Sequence, residues 1–316
     1  MSKKKKTALD FRTSIGGQAL IEGILMRGPT KQSIVVRTEE GFVTKVEEPH
    51  FVREKYKILG IPILRGAVVF IESMVYGIRA LTYSAEFMPE EEQEKPSKLD
   101  KWIEEKVGVE KAEKFVISFA VFLGVCLSVG LFILLPTLLA GFVTNLTQST
   151  ILRNLTEGAI RITIFLLYMY FCTKAPDLKR VFSYHGAEHK TIFCYEKGLP
   201  LTVDNVRVQS RFHPRCGTSF LFVVMIISIF VFSFLSWNNV WIRMGLRLLL
   251  LPVVMGLAYE LNRWVGRHDN WLSTILAAPG KALQRLTTSE PDDGMMECAI
   301  EAIKLVIPEE KGLDAW

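Results

Sequence analysis

Residues 115–142 read FVISFAVFLGVCLSVGLFILLPTLLAGF, a stretch without one charged side chain. A helix rises 1.5 Å per residue, so about 20 apolar residues cross a hydrocarbon core roughly 30 Å thick. This stretch exceeds that length. Gly217–Val240 is likewise uncharged and rich in Phe, Ile and Val. Ala159–Cys172 is shorter and reaches span length if its helix begins near Ile151. Val240–Trp264 carries Arg243 and Arg247 near its start, where long side chains can snorkel to the interface, then runs apolar from Leu248 to Tyr259. With 49% apolar residues among 316, this clumping defines the class. The chain reads as a mainly α-helical polytopic membrane protein with about four transmembrane helices.

Basic residues give the orientation. Lys3–Lys6 and the lysines from Lys98 to Lys114 precede the first span, and the segment after the second runs basic from Lys174 to Arg215. The connection 143–158 has only Arg153, and Trp237–Trp241 has no basic residue. Under the positive-inside rule both termini and the 174–216 loop are cytosolic, with the spans in the plasma membrane. The net charge of +5 then reflects topology, and no nucleic-acid partner is expected. No secretory signal is visible, and five cysteines without a C-x-x-C pair argue against a disulfide framework or a zinc ribbon.

Outside the spans, residues 1–13 read as a disordered basic tail. Residues 14–55 read as a small N-terminal β-rich cytosolic element, because Gln32–Thr38 and Gly41–Glu47 alternate apolar and polar residues around Glu39-Glu40. Residues 56–114 hold an amphipathic or interfacial helix, with Arg65, Glu72 and Arg79 seven apart on one stripe, followed by a charged linker. On that stripe Arg65 and Glu72 are expected to stabilise each other. The helix either lies in the membrane interface or is buried in the cytosolic part. The membrane domain covers 115–264, and the cytosolic C-terminal tail, 265–316, is expected to pack beneath the bundle.

The chemistry concentrates in His185-Gly186-Ala187-Glu188-His189, which holds two of five histidines. On a helix the two imidazoles fall four apart on one face with Glu188 beside them. This H-x-x-E-H order suits a divalent metal held by both histidines and a base acting on water. The metal expected is zinc. Glu260, at the cytosolic end of the fourth span, is the expected third ligand, and Glu188 the catalytic base. His213 could replace Glu260 as ligand, orient a substrate or stabilise a developing oxyanion, and Arg215 and Lys190 are further accessory candidates for substrate binding. For His213 and Cys216 taken alone, packing at the start of the third span is favoured over ligation. His268 beside Asp269 reads as a surface pair, and Gly16-Gly17-Gln18 carries little information on its own.

The combination Gly16-Gly17-Gln18-Ala19, Glu22-Gly23, Met26-Arg27-Gly28-Pro29, His185–Lys190 and His213–Phe220, with Ala278-Pro279-Gly280 and Leu286-Thr287-Thr288 later on, resembles the YqhQ-like family of bacterial membrane proteins. The resemblance runs from Ser14 to about Ala302. It implies a family of unknown function, sometimes described as metal-dependent enzymes. Two function classes remain. One is a membrane-embedded metal-dependent hydrolase acting on a lipid-linked, peptide or membrane-protein substrate. The other is a non-enzymatic scaffold, assembly factor or regulator. A metal-ion transporter is disfavoured, because the spans carry few ionisable groups.

Overall fold

The computed structural model describes residues 11–88, 109–143, 149–235, 239–268 and 270–316. The chain divides into two compact units. One comprises Met1–Phe87, Met169–Ile227 and Leu251–Trp316, the other Met88–Tyr168 and Ser228–Leu250.

The first unit is built on an antiparallel meander of β1 (Gly16–Leu20), β2 (Gly23–Arg27), β3 (Gln32–Thr38) and β4 (Gly41–Glu47), in that spatial order. The hairpin expected around Glu39-Glu40 forms with Thr38 opposite Gly41, whose positive φ favours glycine. Between β1 and β2 the turn instead uses Glu22 at φ 48°. There its carboxylate receives two hydrogen bonds from Arg180 at 2.5 and 2.6 Å and one from the Tyr184 hydroxyl at 3.1 Å. Those bonds hold a conformation that costs a residue with a Cβ.

Alternation in β2 and β3 does not separate a core face from a solvent face, because both faces are buried. Ile24, Met26 and Val35 pack with Tyr184 and Ala187 of one helix, Pro176–Glu196, and with Met296, Ala299 and Ile303 of another, Asp293–Lys304. Leu20, Leu25, Ile34 and Val36 face Ala80, Leu81 and Tyr83 of the helix Leu64–Ala85. The result is a helix–sheet–helix sandwich in which β4 is a largely exposed edge. The C-terminal helix therefore packs on the sheet, which sequence reading had not anticipated.

In chain order the helices are α1 (Val52–Lys55), α2 (Leu64–Ala85), α3 (Val109–Val129), α4 (Leu135–Val143), α5 (Thr150–Cys172), α6 (Pro176–Glu196), α7 (Val203–Arg207), α8 (Gly217–Phe232), α9 (Val240–Arg267), α10 (Trp271–Thr287) and α11 (Asp293–Lys304). Of the two readings of α2, burial against the sheet holds for one face, while Ile71, Met74 and Val75 stay exposed. Arg65 and Glu72 do not support each other. Arg65 grips Glu260, and Glu72 accepts the N–H of Val52 at 2.7 Å, capping α1. Close approach of α2 to α9 needs glycine on both sides. A Cβ on Gly66 would stand 2.8 Å from Gly256 Cα, and one on Gly256 would stand 2.2 Å from the Ile63 carbonyl.

Among the described residues, three helical runs are long and apolar enough to cross a membrane: Phe115–Phe142, Ile151–Cys172 and Trp241–Arg267. Gly217–Phe232 is apolar but shorter. Its 16 residues rise about 24 Å, less than a full hydrocarbon core. Within the second unit the helices are not uniformly apolar. Gly130–Leu134 is a π-helical turn between α3 and α4. Arg161 reaches that turn, donating to the Phe132 carbonyl at 3.0 Å and also to Ser228 and Glu157. Arg247 donates to both oxygens of Glu157 and to Thr137. These groups are buried, as is Arg243. Arg247 therefore does not snorkel: a buried carboxylate between it and Arg161 offers a partner at less cost than extending toward water.

Candidate metal centre

Helix α6 places the H-x-x-E-H run. Pro176 occupies its first turn, where a missing N–H costs nothing, and Gly198 just past its end takes φ 64°, the usual helix stop. Being packed against both the sheet and α11, the helix buries Ser183, Tyr184 and the whole run from Gly186 to Ile192. Gly186 is needed there, because a Cβ would meet the Ser289 carbonyl at 2.1 Å. That approach brings the carbonyl of Thr287 to 2.8 Å from His185 Nδ1.

His189 is anchored in the same manner, with Nδ1 2.5 Å from the Arg211 carbonyl. A carbonyl only accepts, so each Nδ1 carries a proton, and Nε2 is the atom of each ring left to share a proton with its neighbours or, once deprotonated, to bind a metal. Those rings lie 4.3 Å apart, centre to centre. Cys216, one residue before α8, brings its Sγ to 3.1 Å from His185 Nε2. The ligand atoms of His185, His189 and Cys216 all fall within 4.8 Å of one another.

Electrostatics tie the three together. Burial opposes ionisation of the Cys216 thiol, but the charges of His185 and His189 and their hydrogen bonds outweigh it and hold the thiol well below its usual range. For His185 burial again works against charge, and Cys216, Glu188 and the Thr287 carbonyl overcome it, raising the ring to about 9. A thiolate facing two imidazoles is a donor set that would suit a divalent ion of borderline softness, and such an ion would take the place of the shared protons.

Glu188 is buried beside this group. Its Oε1 accepts the Gly17 N–H at 2.9 Å. Burial pushes its carboxyl above the usual carboxylate range, while His189 and His185 pull the other way. Gly17 must be glycine, since a Cβ would stand 2.7 Å from the Leu25 carbonyl and 3.0 Å from Glu188 Cγ. Gln18 sets its amide over Gly77 of α2. The Gly-Gly-Gln segment thus serves packing and the positioning of Glu188. A cavity of about 340 Å3 opens here, lined by β1, by α6 at His185, Glu188 and His189, and by Cys216, Leu221 and Trp316.

The other expected site residues fall elsewhere. Glu260 is not part of the group, because Arg65 engages both its oxygens at 2.6 and 2.5 Å. Lys190 turns away from the cavity, donating to the Arg207 carbonyl and pairing with Glu290, each at 2.9 Å. Arg215 lines the cavity but is committed to Glu196 and the Thr13 carbonyl. His213 also lines it, 5.6 Å from the His189 ring, and its main chain exchanges hydrogen bonds with the Gln284 amide. Burial brings His213 down to about 4 despite its bond to Glu196, so it stays neutral and braces the loop. Sequence reading set Cys216 aside. Its signal was a cysteine three residues after His213 at the start of an apolar run. His268 is exposed and stacks on Trp264, while Asp269 lies outside the described residues.

An α/β sandwich carrying a His-His-Cys group, combined with helices of membrane-spanning length, defines the class of this protein. The chain belongs to the family described as "Protein of unknown function (DUF1385)", which matches residues 61–309. It is 34% identical over 291 residues to "Uncharacterized protein YqhQ" of Bacillus subtilis (strain 168), covering 91% of this chain and 90% of that protein. No solved structure matches.

Proposed function

We propose that the chain is an integral membrane protein whose α/β unit is a metal-dependent hydrolase facing the cytosol. One observation carries this reading: three ligand atoms within 4.8 Å of one another, both histidines oriented by backbone carbonyls, and a buried carboxylate beside them. Three protein ligands leave a coordination position open, the mark of a catalytic rather than a structural zinc site. An ion there would supply Lewis acidity toward a carbonyl or phosphoryl oxygen. Glu188 takes the proton of the attacking water and returns it to the leaving group, a task helped by its raised affinity for protons. Ile15, Val181, Phe182 and Leu221 give the cavity apolar walls, which strengthen electrostatic stabilisation of the developing charge.

Orientation rests on the distribution of lysine and arginine. Three helical runs of sufficient length support spanning, and α8 is the shorter fourth. The alternative, a scaffold or regulator without chemistry, is separated by one experiment. Glu188→Gln is expressed at wild-type abundance in a strain lacking the chromosomal copy. The expected outcome is a metal-loaded protein that fails to restore the wild-type phenotype, since loss of a general base costs about 10²–10⁴-fold in rate. Full rescue would overturn the enzyme reading.

A further inference from the structure

Helix α10 is amphipathic with its faces reversed. It buries Ser273, Ala277, Gly280, Leu283, Gln284 and Thr287, which are mostly small or polar. Trp271 and Ile275 are instead 74% and 58% exposed, and Leu272, Ala278, Pro279 and Ala282 are exposed beside them. At 3.6 residues per turn, positions 271, 275, 278 and 282 form one stripe along the helix. A helix on a water-facing surface does the opposite, burying its large apolar side chains and leaving polar ones outside.

Rotation of the helix cannot correct this, because its small and polar face is engaged. Gly280 allows so close an approach to α8 that a Cβ would stand 2.6 Å from Ser219 Cβ. The Gln284 amide donates to the Ser219 hydroxyl at 3.0 Å and to the His213 carbonyl at 2.7 Å. The Thr287 carbonyl is the group that orients His185, 2.8 Å from its Nδ1.

The surroundings indicate what covers the stripe. Arg267 ends α9, a helix of span length, and α10 begins after only three residues. The helix on which α10 packs, α8, is itself the shorter apolar run. Lys281 and Arg285 follow one flank of the stripe, and Trp271 stands at its head. Basic residues flanking an apolar face, with tryptophan at the margin, mark a helix that lies in the interface of a bilayer with anionic headgroups. Helix α2 repeats the reversal. It buries Gly66, Ala67, Glu72 and Gly77, exposes Ile71, Met74 and Val75, and packs on α9 through Gly66.

We propose that α10 lies in the cytosolic headgroup layer of the membrane, with the Trp271–Ile275–Ala278–Ala282 stripe against acyl chains and Lys281 and Arg285 beside lipid phosphates. The occupant of this face is the bilayer, which continues from α9 without a break, and not a second copy of the chain or a soluble partner. The inference rests on the membrane part of the proposed function and is independent of the chemistry at His185, His189 and Cys216.

The test uses full-length protein reconstituted in vesicles of phosphatidylethanolamine and phosphatidylglycerol. The photo-crosslinking residue p-benzoylphenylalanine, which inserts into neighbouring C–H bonds, replaces Ile275 or Trp271 in separate samples. Two reference positions are Phe122, exposed within the apolar run Phe115–Phe142, and Glu40, exposed in the β3–β4 turn. After irradiation, mass spectrometry of the intact protein gives the fraction carrying one added lipid, and a denaturing gel gives covalent dimers. A face buried about 5–10 Å into the headgroup–acyl boundary is surrounded by acyl C–H groups, so lipid adducts should exceed those at Glu40 by at least about tenfold. The yield at Ile275 decides, and Trp271 takes its place if that variant does not fold.

A yield no higher than at Glu40, with lipid adducts still formed at Phe122, would overturn the seating of α10 and leave the spans standing. Covalent dimers in place of lipid adducts would give the face to a second copy and overturn it as well. Absence of adducts at Phe122 too would instead defeat the membrane reading on which the inference rests.

Discussion

The third ligand of the proposed site is the sharpest point of test, because sequence reading expected Glu260 there whereas the fold brings Cys216 to His185 and His189. Cys216→Ala removes one of three donor groups without touching the carbonyls that orient His185 and His189. A structural zinc site with four ligands is worth about 10–16 kcal/mol at neutral pH, or about 2.5–4 kcal/mol per ligand. Each 1.4 kcal/mol is tenfold, so zinc affinity should fall by roughly two to three orders of magnitude. Glu260→Gln should leave affinity unchanged, because Arg65 already occupies both of its oxygens. Its effect is on stability instead. The Arg65 and Glu260 side chains are 26% and 27% exposed, between an exposed pair and a buried one. Breaking it should cost about 1–2 kcal/mol. For a chain of this size, that is roughly 2–6 °C in Tm. The assay is competition for zinc against a fluorescent chelator of known affinity, with metal analysis for stoichiometry and a thermal scan on the same samples. Full zinc binding by Cys216→Ala together with its loss in Glu260→Gln would refute the assignment.

Other outcomes follow from the packing. Gly186→Ala drives a methyl group into the Ser289 carbonyl, which should cost about 1–3 kcal/mol. Displacing Thr287 from His185 should also weaken zinc about 10–100-fold; unchanged affinity would show that the carbonyl does not orient the ring. Glu157→Gln leaves Arg161 and Arg247 without their shared carboxylate and should cost about 3–5 kcal/mol in a thermal unfolding scan in detergent; an unchanged midpoint would mean that the network adds nothing. For topology, cysteine placed at exposed Asn239 should react with a membrane-impermeant maleimide added to intact cells, and cysteine at exposed Leu199 only after permeabilisation. The opposite pattern would invert the orientation.

The parts of the fold legible in the sequence are those set by local geometry. An uninterrupted apolar run states its own helical length, so Phe115–Phe142 could be read directly. The Gln32–Glu47 hairpin shows as alternation around a two-residue turn, and the spacing of His185 and His189 fixes them on one helical face. Composition alone misled where both sides of an element were covered. Helix α6 carries many polar residues, yet it lies buried between the sheet and α11, because its polar groups meet backbone carbonyls and carboxylates from distant segments.

Partner choice across long sequence separations was not legible, and only packing decided it. Glu260 has a suitable chemistry and sits at the expected end of its helix, but the glycine-mediated approach of α2 to α9 brings Arg65 to it first. Cys216 gains its role from the loop that His213 and Gln284 brace, 31 residues from His185 along the chain. Arg247 is held by a carboxylate 90 residues away. Such pairings depend on which surfaces the folded chain presses together, and a spacing of residues along a sequence carries no record of that. Local pattern was enough for the three long apolar helical runs, the hairpin and the placing of two histidines on one helical face. The approach of Cys216 to the two histidines and the Gly17 contact to Glu188 came from tertiary structure, because each requires two segments to meet in space.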